Sequence, residues 1–456
     1  MSKELAMVDP GRVHFRRVAV IAASVLMLLA EAGISNAAAT GGSTSRVSVS
    51  SAGRQGNDSS DSSGQAISGQ GRYVAFHSVA SNLVVGDTNG SGDVFIRDRL
   101  AGVTRRVSVG PGGRQANEGS DTPAISADGR FVAFSSFASN LVAGDTNGAG
   151  DIFVRDVLAG VTRRVSVGSA GRPANAPSFS PAISADGLFV AFTSFASNLV
   201  PGDTNESGDT FVRDLLAGVT RRVSVGPGGR QSNGSSGDFP PSISANGRFV
   251  AFDSFASNLV PGDTGWGDVF VRDRLAGVTR RVSVNRAGGQ ADGPSDTPAI
   301  SADGRFVAFV SFASDLVSGD TNATGDVFVR DLVAGVTRRA SVGSHGQADN
   351  FSFSPAISGD GRFVAFSSDA SNLVPGDTNA TGDIFVRDRL AGGTRRASVG
   401  AAGQQANEFS IFPAISTDGR HVAFLSYASN LVPGDTNATG DVFVRDQYGD
   451  RALPPS

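Results

Sequence analysis

The tripeptide Val-Ala-Phe recurs seven times, ending at Phe76, Phe134, Phe192, Phe252, Phe309, Phe366 and Phe424, at intervals of 58, 58, 60, 57, 57 and 58 residues. A fixed period of this size means one supersecondary unit copied and packed against its own neighbours. In the second copy the unit holds four strand-like pieces. Pro123-Ala124-Ile125-Ser126 leads through Asp128-Gly129 into Arg130-Phe131-Val132-Ala133-Phe134-Ser135. After a long loop come Asp151-Ile152-Phe153-Val154-Arg155-Asp156 and, past a short link, Thr162-Arg163-Arg164-Val165-Ser166-Val167. An Asp-Gly pair between apolar runs signals a hairpin, and a type I′ turn with positive φ at both residues is expected. Phe131 and Phe134 fall on opposite faces of their strand, so that strand should be buried on both sides, as between neighbouring blades.

Seven units of four strands predict an all-β fold, a seven-bladed β-propeller of antiparallel blades. The last unit stops at Phe443-Val444-Arg445-Asp446 without its fourth strand, and Thr44-Ser45-Arg46-Val47-Ser48-Val49 supplies an equivalent at the other end. The N-terminal strand is therefore expected to complete the last blade and close the ring, whereas an open solenoid would need atypical capping repeats.

The recurring Ile-Ser-Ala-Asp-Gly-Arg-Phe-Val-Ala-Phe-Ser-Ser (125–136) and the downstream Asp-Val-Phe-Val-Arg-Asp resemble the WD40-like PD40 repeat of TolB-type propellers. The resemblance covers residues 43–447. It departs from that pattern where Ala, Gly or Thr stands in place of the usual Pro before Asp-Gly, and there is no room for TolB's N-terminal α/β domain. A role in the cell envelope is what the resemblance implies.

Ahead of the repeats, Arg12, Arg16 and Arg17 precede a 13-residue apolar run, Val18–Ala30, and then Asn36-Ala37-Ala38-Ala39. This is the pattern of a secretory signal peptide, and the run is short for a membrane span, which takes about 20 residues. The expected organisation is a signal peptide over 1–39, the propeller over 40–447 and a tail over 448–456. The protein is then secreted or held in the periplasm or envelope, with no transmembrane span once the signal is removed, and acts as a monomer. Without residues 1–39 the chain carries 35 basic and 40 acidic groups, which excludes a nucleic-acid binder. The absence of cysteine excludes a disulfide framework, cysteine-ligated metal and a thiol nucleophile.

The loop between second and third strands and the connection between units both exceed a dozen residues, whereas the other two turns are short. Long loops on a rigid scaffold are where binding groups collect, so the face carrying them is the candidate binding face. On it recurs Gly-Asp-Thr-Asn-x-x-Gly-Asp. Its hard-cation candidates are Asp87, Asn89 and Asp93; Asp145, Asn147 and Asp151; Asp203, Asn205 and Asp209; Asp320, Asn322 and Asp326; Asp377, Asn379 and Asp383; and Asp435, Asn437 and Asp441. Oxygen ligands with this spacing look like the front half of a calcium loop. Asp98 stands at the twelfth position, but an intervening strand carries it about 16 Å away. The other reading is that Asp, Asn and Gly shape Asx-turns and need no ion. Either way, seven acidic loops would make a negative rim. The fourth unit is one residue shorter, lacks the Asn and carries the only tryptophan, Trp266, a candidate ligand contact.

Arg-Asp pairs such as Arg97-Asp98 are expected to tie strand ends together. Arg-Arg pairs such as Arg105-Arg106 are expected to protect an outer edge or to form a belt for an anionic polymer. His77, His345 and His421 occupy non-equivalent positions, and nothing in the sequence places a suitable acid or nucleophile beside them, so structural roles are expected. The function that fits is an exported, non-catalytic scaffold whose long-loop face binds a protein or polymer, with calcium as candidate orderer of the loops. A polysaccharide-active lyase or glycosidase, and a surface adhesion module, are the alternatives.

Overall fold

The computed structural model describes residues 42–61 and 66–449. The expected signal peptide and most of the tail lie outside the described residues. Seven four-stranded antiparallel sheets follow one another in chain order. Blade 2 runs Ser120–Ile125, Phe131–Ser136, Asp151–Asp156 and Val161–Arg164. In blade 7, Ser43–Arg46 pairs along Asp441–Asp446, with Ser43 opposite Asp446 and Arg46 opposite Phe443. The ring is closed by the N-terminal strand, as the repeat count predicts. A two-residue hairpin, Val342–Gly343 with Gly346–Gln347, is added after blade 5.

First strands of adjacent blades approach one another and line the axis, and the fourth strands are outermost. The core lies between blades: Ala133 and Val154 of blade 2 pack with Val190 and Phe192 of blade 3. Within blade 2, Phe134 and Phe153 sit at opposed positions with ring centroids 5.9 Å apart, and both are fully buried. Burying such a side chain contributes about 1.5–3 kcal/mol, and the arrangement is repeated in every blade.

Two local features differ from expectation. At Asp128-Gly129 only the glycine takes positive φ, at 76°. The turn is not type I′. The Gly129 N–H donates to the Ser126 carbonyl at 3.0 Å, and Asp128 accepts from the Ser126 hydroxyl and the Arg130 N–H, so the aspartate braces the turn through its side chain. The first strand also begins earlier than predicted, at Ser120, and carries a bulge between Asp121 and Ala124. Thr122, Ser180, Thr297, Ser354 and Phe412 occupy that bulge with φ between 46° and 56°. Each precedes a proline, which has no N–H for the ladder and is tolerated at a bulge.

The Arg-Asp pair does tie strand ends, but to other partners. Asp98 takes both donors of Arg72 from the Asp-Gly-Arg turn region, at 3.0 and 2.7 Å. Arg97 donates to Thr104 and to the carbonyl of Ser50 at the preceding blade's exit, both at 3.0 Å. The tie is therefore partly between blades.

Candidate functional site

Each Asp-Thr-Asn-x-x-Gly-Asp loop leads into a third strand, whose first residue is the second aspartate of the motif. In blade 1 the guanidinium of Arg106 lies 3.2 Å from Asp87 and 3.2 Å from Asp93. Gln115, from the connection to the next blade, donates to Asp87 at 2.8 Å and to Asp93 at 3.0 Å. Ser108 donates to the second oxygen of the Asp93 side chain at 2.6 Å. Asn89 offers its amide nitrogen to Asp93 and to the Ala116 carbonyl, and its oxygen accepts the Ser91 N–H. It closes an Asx-turn and faces the carboxylate as a donor.

All seven blades repeat the Asp–Arg–Asp arrangement. The arginines are Arg164 between Asp145 and Asp151, Arg222 between Asp203 and Asp209, and Arg281 between Asp263 and Asp268. Arg339 lies between Asp320 and Asp326, Arg396 between Asp377 and Asp383, and Arg46 between Asp435 and Asp441. Asn147, Asn205, Asn322, Asn379 and Asn437 all donate to the second aspartate of their loop. The structure thus brings the predicted cation ligands together around an arginine. In blades 1 to 6 that side chain is the second of the Arg-Arg pair, and in blade 7 it is Arg46 after Ser45; it is buried, not edge-protecting. Burial pushes the Asp93 and Asp151 carboxyls up, against the pull of Ser108 or Ser166 and the arginine. Within each blade one arginine offsets one of the two carboxylates, so each loop keeps at most a single net negative charge. Among the described residues, no group of three or more His, Cys, Asp or Glu side chains is placed to hold a metal ion.

Trp266 lies on this face, 54% exposed. Its shortened loop is held by the Gly265 N–H donating to Asp263 at 3.2 Å. Asp263 Oδ2 and Gln290 Oε1 are buried without a hydrogen-bond partner among the described residues, which sets this loop apart from those with an asparagine.

The features that single out one end of the axis are elsewhere, and sequence reasoning missed them. The residue after each second strand is exposed: Val79, Phe137, Phe195, Phe255, Phe312, Asp369 and Tyr427. Their N–H groups donate to carbonyls just before or at the start of the first strand, as Phe137 does to Gly119 and Phe312 to Pro294, both close to 3.0 Å. An incomplete ring of aromatics therefore surrounds the axis on the long-loop face. Inside it the repeats diverge. The second position of the first strand, the strand nearest the axis, holds Asp61, Asp121, Phe179, Asp296, Phe353 and Ile411 in blades 1, 2, 3, 5, 6 and 7. Phe351 stacks on Phe312 and Phe353 at 5.6 and 5.0 Å, and Phe409 on Tyr427 at 4.5 Å.

The polar sectors are strongly perturbed. Asp253 is buried and accepts the N–H groups of Asp238 and Phe239. Burial, with Asp238 and Asp296 nearby, outweighs those bonds and pushes its carboxyl up to about 8. Burial raises Asp296 to about 6. His77 bonds to Asp61 at 2.9 Å; burial pulls the imidazole down, but Asp61, Asp121 and Asp93 outweigh it and hold it above its ordinary value. His421 begins the second strand of blade 7, at the end opposite Tyr427 and the mouth, and is lowered by burial and by Arg99. His345 is exposed on the added hairpin. The histidines are not brought together.

Fold and site define an all-β, seven-bladed propeller with one differentiated axial mouth. Its similarity to solved structures is of the same kind. It aligns with an oligogalacturonate lyase in complex with manganese at TM-score 0.52 and 13% identity, covering 90% of this chain and 94% of that one. An oligogalacturonate lyase from Vibrio parahaemolyticus aligns at TM-score 0.51 and 12% identity, covering 85% and 90%. TolB from Acinetobacter baumannii aligns at TM-score 0.38 and 17% identity; 67% of this chain matches 61% of the TolB chain. At these identities the likeness is one of fold. No protein-family profile matches the chain, and no curated protein is similar to it in sequence.

Proposed function

We propose that the protein is an exported, non-catalytic binding scaffold that takes a protein or polymer partner on its long-loop face. The observation that carries this reading is the ring of exposed aromatics around an axial mouth whose lining is the least repetitive part of the molecule. Aromatic side chains held rigidly at a rim are typical anchors of recognition, and divergence of the repeats in the lining beside them is what selection for a partner would leave. Non-glycine residues at positive φ cluster in the same lining, where such backbone is kept only by surrounding constraint. The Asp-Thr-Asn loops serve as scaffold in this reading, braced by arginine and Asx-turns. Among the described residues no helix is long and apolar enough to cross a membrane, and the basic, apolar N-terminal segment supports export.

The test compares wild type with a variant carrying Ser at Phe195, Phe255 and Phe312 as bait against envelope and medium fractions of the producing cell. A partner held by wild type and by an Arg105→Ser control, but released by the triple variant, is expected. Equal capture by all three baits would refute the assignment of the face.

A further inference from the structure

The link between third and fourth strands opens with Arg99, Val157, Leu215, Arg274, Leu332, Arg389 and Gln447 in blades 1 to 7. The aliphatic side chains pack on the interblade core: Leu215, Val157 and Leu332 each join one of its clusters. The arginines of blades 4 and 6 instead reach across to the preceding blade. Arg274 lies over the Phe189 ring at 4.6 Å and Arg389 over Phe306 at 4.5 Å. Clefts open at both of these interfaces. One of about 670 Å³, between blades 5 and 6, is lined by Arg305, Phe306, Arg338, Arg387 and Arg389 among others. Another of about 430 Å³, between blades 3 and 4, is lined by Arg221, Arg272 and Arg274 among others.

Asp331 and Asp360 also line the larger cleft, but the carboxylates do not pair with all of its arginines. In the larger cleft Arg305 is taken by Asp331 at 2.7 Å and Arg362 by Asp388 at 2.9 Å. Among the described residues, Arg338, Arg387 and Arg389 make no ion pair with a carboxylate. Arg387 donates only to neutral oxygens, of Thr394 and Val342. Burial lowers the proton affinity of Arg389, and Arg338 and Arg305 lower it further against the pull of Asp331 and Asp360. In the smaller cleft Arg274 Nε is buried with no acceptor among the described residues. Guanidinium groups drawn together with no carboxylate paired to them, and a buried donor without a partner, lack the same thing: an anion. We propose that the cleft between blades 5 and 6 is a binding site for a ligand bearing two or more oxyanion groups, held by Arg338, Arg387 and Arg389, and that the Arg274 cleft is a second site of the same kind. Guanidinium forks match phosphate, sulfate and carboxylate alike, and the Phe306 face adds an apolar wall. This site is separate from the long-loop mouth and does not depend on the function proposed for it.

The test is titration calorimetry on the whole protein with tripolyphosphate, a sulfated hexasaccharide and a neutral hexasaccharide. Binding of at least one anionic probe, weakening as salt is raised, is expected; preference between the two tells phosphate from acidic-sugar ligands. Arg389→Leu copies Leu332 and Leu215 and should melt like wild type, while binding about tenfold more weakly. Arg338→Ser serves the same purpose if that variant fails to fold. Arg114→Ser removes one exposed charge elsewhere and should leave affinity unchanged. The proposal is overturned if wild type binds neither anionic probe, if the neutral sugar binds equally, or if the Arg114 variant loses as much affinity as the cleft variants.

Discussion

Asp253 occupies a register position that is Ser135 in blade 2 and Ser367 in blade 6, and it holds its proton up to about pH 8. An unfolded carboxyl loses its proton near pH 4. Between those values the folded state binds the extra proton, so stability falls as pH rises from about 4 to 8. The melting temperature of wild type should decline over that window, and Asp253→Ser should flatten the decline; thermal melts in a buffer series measure both. The opposite holds for Asp98, Asp273 and Asp331, held down to about 2 chiefly by Arg72, Arg248 and Arg305. Their contribution is present above about pH 4 and lost as pH falls toward 2. A second residue-scale prediction concerns Ala323, Ala380 and Ala438, at φ 54° where blades 1 and 2 place Gly90 and Gly148. Glycine relieves a left-handed strain of about 1–2 kcal/mol, against about 0.5–1 kcal/mol of backbone entropy. Ala380→Gly should therefore raise stability slightly in denaturant titration. Neither Asp253 nor these alanines stood out in the sequence, because a single unusual residue in a repeat column is also what harmless drift produces.

The element that decides how the acidic loops are read is the outer strand. From the sequence, Asp, Asn and Gly at calcium-like spacing were visible, and so was Arg-Arg a dozen or more residues later. That the second arginine folds back between the two carboxylates depends on the register of third on fourth strand: Phe95 opposite Arg106 puts the arginine beside Asp93. Spacing along the chain carries no information about that pairing. Removing the arginine strands two buried carboxylates, a loss of about 3–5 kcal/mol. Arg339→Met should lower the melting temperature by several degrees, while calcium and a chelator leave the wild-type midpoint unchanged. Strand alternation showed that the second strand carries phenylalanine on both faces, but the stacking of Phe134 on Phe153 likewise depends on register.

At the scale of the whole molecule, the blade count, closure by the N-terminal strand and the long-loop face were legible because they follow from counting units and measuring loops. The hydrogen-bonded girdle on the opposite face was not. There the N–H of Gly69 donates to Ala127, Ala127 to Ala185, Ala185 to Ala245, Ala245 to Ala302, Ala302 to Gly359 and Gly359 to Thr417, at 2.9 to 3.0 Å. The Asp418 N–H returns to Gly69 at 3.4 Å. Deleting residues 42–49 leaves that inner girdle but removes the outer strand of blade 7. The truncated protein should lose its single cooperative melt and associate through the bared edge, which calorimetry and size-exclusion chromatography would show. The register of that closing strand also determines how the ring responds to force. Ser43 lies opposite Asp446, so the two chain ends leave side by side from adjacent antiparallel strands. Tension applied between them acts across the ladder and breaks its hydrogen bonds one after another. A partner that hung the protein by both termini would open it like a zip, whereas a load borne by the long-loop face would leave the clasp slack.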